Sequence, residues 1–177
     1  MTEIPSGIRL TLQSSPAIAF AFSHVCALTG LRGRWETLRD KPLVICDTGH
    51  NSHGIATYVE QLRQLTAQPS AKRSSLTANR YLHIVFGMVA DKDVDAVLRL
   101  LPEEATYYFT QPNSHRALAA EELLLKWKAI HPKSKAKAYK TVSEAITSAT
   151  AAAKQEDVIF IGGSNYVVGE AMKYYDN

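Results

Sequence analysis

Long apolar runs are missing from this sequence. None of its 177 residues belongs to an unbroken apolar stretch near the ~18 residues that cross a bilayer. The nearest approach, Ala17 to Leu28, is interrupted by His24. The segment before it lacks the basic start of a signal peptide, so no membrane association is expected. Cysteine is scarce too: Cys26 and Cys46 stand in apolar surroundings without the Cys-x-x-Cys spacing of a redox or zinc site, which fits a reducing cytoplasm. Charge of one sign is also in short supply, since 20 Lys and Arg against 17 Asp and Glu leave a net +3. The basic residues are scattered apart from Lys126-Lys128 and Lys133-Lys135-Lys137, whereas a nucleic-acid binder concentrates them on one face. No nucleic-acid partner is expected, and the run at Lys133, which follows His131-Pro132, reads as a solvated loop. Two glycine signatures are absent as well: no Gly-x-x-x-x-Gly-Lys-Ser/Thr loop, and no Gly-x-Gly-x-x-Gly after a strand. Any triphosphate handled here must be gripped mostly by something else.

What is present is a core. A hydrophobic content of 46% over this length suits one domain with an appendage; residues 1–30 read as a linker or the remnant of a preceding domain, and 31–177 as the domain itself. From Leu43 onward, short apolar runs alternate with amphipathic stretches, the pattern of strand and helix units. Strands are predicted at Leu43 to Asp47, Tyr81 to Gly87, Thr106 to Thr110 and Val158 to Gly162, with a weaker one near Lys137 to Tyr139. Unalternated runs such as Val-Ile-Phe-Ile point to burial on both faces. Helical spacing links Ile55, Tyr58, Val59 and Leu62, then Val94, Val97 and Leu101, then Leu123, Trp127 and Ile130, then Val142, Ala145 and Ala149, and finally Val168, Ala171 and Tyr175. Thr141 and Glu144 read as a capping box, Pro16 to Leu31 as one helix, and Gln68 to Asn79 as a loop. The fold class is therefore α/β and Rossmann-like, a mostly parallel sheet of about five to six strands with helices on both faces.

Chemistry collects where those strands end, the edge at which open α/β sheets bind ligands. Asp47-Thr48-Gly49-His50-Asn51 follows the first apolar run. Asp47 can accept hydrogen bonds from a ribose diol, and His50 can exchange a proton near neutral pH; the same residues can equally cap a helix, with His50 and His53 at the surface. Asp47, His50 and His53 could also converge on a metal, but no further ligand or supporting shell accompanies them, and no metal is assigned. Arg34, after Gly33, can offer a fork of donors to phosphate oxygens or simply face water. Gly162-Gly163-Ser164 repeats the strand-glycine-polar pattern, suited to an anion or to plain capping by Ser164. Lys92 and Arg116, after two further strands, can attract carboxylates.

Taken in order, these residues resemble the C-terminal domain of the folylpolyglutamate synthase and dihydrofolate synthase family, within the Mur ligase superfamily. The resemblance is carried by Gly33-Arg34, by Asp47-Thr48-Gly49-His50-Asn51 where the family usually has Asp-Gly-Ala-His-Asn, and by Gly87-Met88 with Asp91-Lys92-Asp93. Thr110-Gln111-Pro112, Arg116-Ala117 and Gly163-Ser164 complete it. Thr48 stands in place of a glycine, and Arg32 where a proline is frequent. The resemblance implies a ligase that uses ATP and magnesium to activate a dihydropteroate or folate carboxylate as an acyl phosphate, which the amino group of glutamate attacks. It also implies a partner, the N-terminal ATPase domain, carrying the phosphate loop and magnesium ligands. Arg34 would then contact nucleotide phosphates and Asp47 the ribose. His50 and Ser164 would lie near the acyl phosphate or incoming glutamate, with Asn51, Lys92 and Arg116 toward the substrate. Domain closure would bring Arg34, Asp47 and His50 over the nucleotide, and this chain alone is expected to be inactive.

Overall fold

A computed structural model of the protein describes residues 29–67 and 80–176. The chain separates into two compact units, Met1–Arg32 and Gly33–Asn177, and of the first only Thr29 to Arg32 are described. Most of the helix expected over Pro16 to Leu31, together with Cys26 and the loop Gln68 to Asn79, lies outside the described residues.

Within the second unit the strands are β1 (Glu36–Asp40), β2 (Leu43–Asp47), β3 (Leu82–Phe86), β4 (Thr106–Thr110), β5 (Lys135–Tyr139) and β6 (Val158–Gly162). The helices are α1 (Ser52–Ala67), α2 (Val94–Leu98), α3 (Ala120–Ile130), α4 (Val142–Ala152) and α5 (Asn165–Asp176). One sheet holds all six strands in the order β1-β2-β6-β3-β4-β5, parallel throughout except for β1 against β2. This is the Rossmann-like α/β fold expected. The innermost strands β3 and β6 are buried at every residue, which is why they carry apolar runs and not alternation.

Side chains alternate between two cores. Ile45, Ile84, Phe109 and Phe160 meet Tyr58 of α1, Val97 of α2 and Trp127 of α3. Val44, Val85 and Ile161 meet Ile146 of α4 and Val168 of α5 on the other face. Trp127 is fully buried, and its indole N–H donates to Ser134 Oγ at 2.6 Å, so a large apolar surface is sequestered without an orphaned donor. At the start of α4, Thr141 Oγ1 accepts the Glu144 N–H at 3.1 Å, and the Glu144 carboxylate accepts from the backbone of Lys140 at 3.2 Å. Thr141→Ala is expected to cost about 1 kcal/mol, read as a fall of roughly 2–4 °C in a thermal melt.

Two sequence readings need correction. The polar segment Glu36–Asp40 is a strand that hydrophobic patterning does not reveal: among the described residues it lies at the sheet's edge, pairs only with β2, and shifts register between Thr37 and Arg39. The lysine run is a loop only at Lys133; Lys135 and Lys137 belong to β5 at the opposite edge, which bears out and lengthens the weaker strand expected near Lys137 to Tyr139. Exposed lysines are common on edge strands because they discourage further pairing.

His83 is a buried exception in the apolar sheet, 4% exposed. Its Nδ1 lies 3.0 Å from the Tyr108 hydroxyl and its Nε2 3.7 Å from Asp157 Oδ2. Desolvation outweighs the nearby carboxylate and holds the imidazole below the ordinary histidine range. Below pH ~6.5 the unfolded chain takes up a proton that folded His83 resists. Stability should therefore fall on acidification from pH 7.5 to 5.5, and a series of urea midpoints should show a shallower fall for His83→Gln.

Candidate functional site

The loops after β2, β3, β4 and β6 leave the same edge of the sheet. β6 lies between β2 and β3; the helix that follows it packs on one face, whereas those following β2 and β3 pack on the other. Such a reversal opens a crevice at the carboxyl ends of the strands.

On the β2 side, Asp47 organises two segments. Its Oδ1 accepts the Gly49 N–H at 2.7 Å and its Oδ2 the Trp35 N–H at 2.9 Å. Trp35 is the one non-glycine described with positive φ, at 47°, a costly conformation for a bulky residue. Gly33, at φ +75°, donates to Glu36 Oε2 at 2.6 Å and accepts from Thr48 N–H at 2.8 Å. A Cβ on Gly33 would meet Thr48 Cγ2 at 2.9 Å, so Thr48, where the family usually has glycine, is accommodated by a glycine opposite. Exposed Arg34 is thus carried between two residues tethered to the Asp47 turn. Beneath that turn lies the buried Tyr58 ring; burial, reinforced by the Asp47 charge, keeps its hydroxyl protonated well above the ordinary tyrosine value.

His50 turns the other way. Its Nδ1 is 3.0 Å from the Thr48 carbonyl. A carbonyl only accepts, so Nδ1 carries the hydrogen in the neutral ring and Nε2 is left as the basic nitrogen. Asn51 Oδ1 accepts the Gly54 N–H at 2.8 Å, which is the capping role. Ser164 does the same for α5, accepting the Val167 N–H at 3.2 Å; its buried hydroxyl keeps its own hydrogen to donate.

Lys92 and Arg116 are brought close by an antiparallel bridge between Val89 and Ala117, flanked by Ala90 N–H to Arg116 O and Leu118 N–H to Met88 O, both 2.9 Å. The Arg116 guanidinium pairs with Asp91, and Tyr166 lines the same cleft. The pair is exposed on both sides, so it orients Arg116 more than it stabilises the fold. A cleft of about 260 Å³ opens between these loops, lined by His50, Val89, Lys92, Arg116, Ser164 and Tyr166, with Asn165 beside them.

The structure therefore gathers His50, Ser164, Lys92 and Arg116 in one cleft. It places Arg34 and Asp47 together at the neighbouring β2 turn and assigns Asn51 to a helix cap. Tyr166 escapes sequence reading, being one exposed aromatic at the start of a helix that only its place in the cleft reveals; Asp91 stands in the sequence motif with Lys92, but its pairing with Arg116 is visible only in the structure. Among the described residues no group of three His, Cys, Asp or Glu could hold a metal, and no helix is long and apolar enough to cross a membrane.

A six-stranded sheet with a glycine-anchored arginine, an aspartate turn and a cationic cleft at its carboxyl edge defines a class. The chain belongs to the family described as Mur ligase, glutamate ligase domain, which matches residues 33–165. Within that class its relatives are folate enzymes. It is 29% identical over 147 residues to the dihydrofolate synthase/folylpolyglutamate synthase of Escherichia coli, covering 82% of this chain but 31% of that protein. The structure of Escherichia coli FolC in complex with DHPP and ADP superposes with a TM-score of 0.68 at 27% identity, over 82% of this chain and 31% of the other. A Yersinia pestis bifunctional folylpolyglutamate synthase/dihydrofolate synthase with Mn, AMPPNP and L-glutamate bound gives 0.68 at 25% identity, over 83% and 32%. The chain thus spans about a third of the length of the relatives it matches.

Proposed function

We propose that this chain supplies one side of an ATP-dependent ligase that adds glutamate to dihydropteroate or folate in the cytoplasm. The observation that carries this reading is the convergence of His50, Ser164, Lys92 and Arg116 in one cleft beside the Asp47 turn. Asp47 fits a ribose: two backbone N–H groups fix its carboxylate, and each oxygen retains a lone pair for a diol hydroxyl. Arg34, carried by the neighbouring backbone, suits the nucleotide phosphates. The described residues do not fit a triphosphate grip or a magnesium site, which this reading assigns to an N-terminal ATPase domain. ATP with magnesium supplies the phosphoryl group that activates the folate carboxylate. Lys92 and Arg116 hold the carboxylates of the incoming glutamate. His50 Nε2 accepts a proton from its amino group, and the Ser164 hydroxyl donates to the oxygen that gains charge.

The test is a chimera in which Gly33–Asn177 replaces the matching segment of the Escherichia coli enzyme, with ADP release followed on adding folate substrate and glutamate. Turnover is expected, falling about 100-fold or more in His50→Ala; this chain alone should give none. A folded chimera without substrate-dependent ADP release, or one indifferent to His50→Ala, refutes the assignment. Tight ATP binding by the isolated chain would instead favour a self-sufficient nucleotide-binding module.

A further inference from the structure

The face of the sheet covered by α4 and α5 changes character toward β5. Strand register sets out two rows. One runs Val44, Ile159, His83, Thr106, Lys135; the next runs Cys46, Ile161, Val85, Tyr108, Lys137. Their first halves are what a helix-covered sheet requires. Their second halves are polar, aromatic and cationic, although His83 and Tyr108 are buried. Buried polar groups are the informative departures from an apolar core, and packing alone does not call for these.

The same quadrant encloses space. A cleft of about 440 Å³ lies beside β4, β5 and the second half of α4, lined by Tyr108, Lys135, Lys137, Tyr139 and Ser148 and, from the α3 side, by Lys128, with no acidic residue in its wall. The rings of Tyr108 and Tyr139 stack with centroids 5.8 Å apart. Tyr139 and Ser148 share a hydroxyl hydrogen bond of 2.7 Å. Behind them His83 Nδ1 meets the Tyr108 hydroxyl at 3.0 Å, so the back wall rests on a buried imidazole whose Nε2 lies 3.7 Å from Asp157 without a hydrogen bond. Lys135 lies 5.7 Å from the Tyr81 ring centroid, and among the described residues neither Lys135 nor Lys137 forms an ion pair. Thr106 and Lys135 stand at the amino ends of β4 and β5, Tyr108 and Lys137 at mid-strand and Tyr139 at the end of β5, and none of them lines the cleft that holds His50 and Ser164.

We propose that this cleft is a second binding site, for a small aromatic anion: a flat ring lies along Tyr139, and its carboxylate or phosphate is held by Lys135 and Lys137. Ring contact and charge each have a matching partner in the wall, and the absence of a carboxylate there leaves the lysines available. The site is independent of the proposed ligase activity.

Titration of this isotopically labelled chain with benzoate and with phenyl phosphate, read by amide NMR, tests the assignment. Saturable shifts at Tyr108, Lys137, Tyr139 and Ser148 are expected at concentrations up to ~10 mM, while the Gly162 to Tyr166 amides stay in place. Cyclohexanecarboxylate and inorganic phosphate should bind at least 5-fold more weakly. The exposed pair Lys135→Gln/Lys137→Gln, with its fold confirmed by an otherwise unchanged spectrum, should weaken benzoate at least 10-fold. No saturable shift in this quadrant, equal binding of inorganic phosphate, or unchanged affinity in the double variant would overturn it.

Discussion

Gly163→Ala is expected to destabilise the domain by about 3 kcal/mol, the sum of backbone strain and overpacking. Gly163 has φ +98°, and a Cβ there would lie 2.6 Å from the Gly87 carbonyl oxygen and 2.7 Å from Phe86 Cε2. Neither neighbour is a flexible side-chain tip. Gly87 is itself confined, since a Cβ on it would run into the Thr110 carbonyl and Val167. The backbones leaving β3, β4 and β6 are therefore stacked against one another with no room for a methyl group. Relieving the clash must move the Ser164 turn away from the loop that carries Lys92. A drop in urea midpoint matching about 3 kcal/mol at unchanged m-value would bear this out; the contrast is Gly169→Ala, where no atom lies within 4 Å of the added Cβ and a helical alanine should be neutral or stabilising by up to ~1 kcal/mol. A Gly163→Ala protein as stable as the parent would show that the strand ends are looser than the structure has them.

Asp47→Ala should have the second large effect, and in two currencies. It strips the acceptor from Trp35 N–H and Gly49 N–H together; leaving such groups unsatisfied costs roughly 2 kcal/mol. Amide exchange at Trp35 and Gly49 should speed up more than elsewhere, because the carboxylate is what holds Trp35 at its positive φ. In the chimeric ligase, loss of the diol acceptor should weaken nucleotide binding by about 10- to 100-fold. Asp47→Asn separates the two roles: its single carbonyl keeps one backbone bond, while its amide group faces the other donor. Nucleotide affinity unaffected by Asp47→Ala would leave the carboxylate as a purely architectural brace.

The sequence made the inner sheet easy to read and its margins hard. β2, β4 and β6 follow from apolar runs, because burial on both faces requires them. β1 does not, because Glu-Thr-Leu-Arg-Asp at a half-wet edge needs no apolar pattern. β5 was only partly visible, since alternating lysine and alanine satisfy an edge strand and a loop equally well. At the site, the strand-end position of His50, Ser164, Lys92 and Arg116 was legible from spacing. Their meeting in one cleft was not, because it depends on β6 being inserted between β2 and β3 and on the Val89 to Ala117 bridge. Asn51 and Ser164 show the two readings of a polar residue at a helix start: both cap, yet only Ser164 also lines a cleft.

The position of β6 has a further consequence, for how the chain comes together during synthesis. The sheet's central strand, fully buried and paired on both sides, is the last strand to be made. Without Val158 to Gly162, no hydrogen-bonded strand joins β1 and β2 to β3, β4 and β5. Cooperative closure waits on β6, and both walls of the cleft that holds His50 and Ser164 are brought into place by the same event.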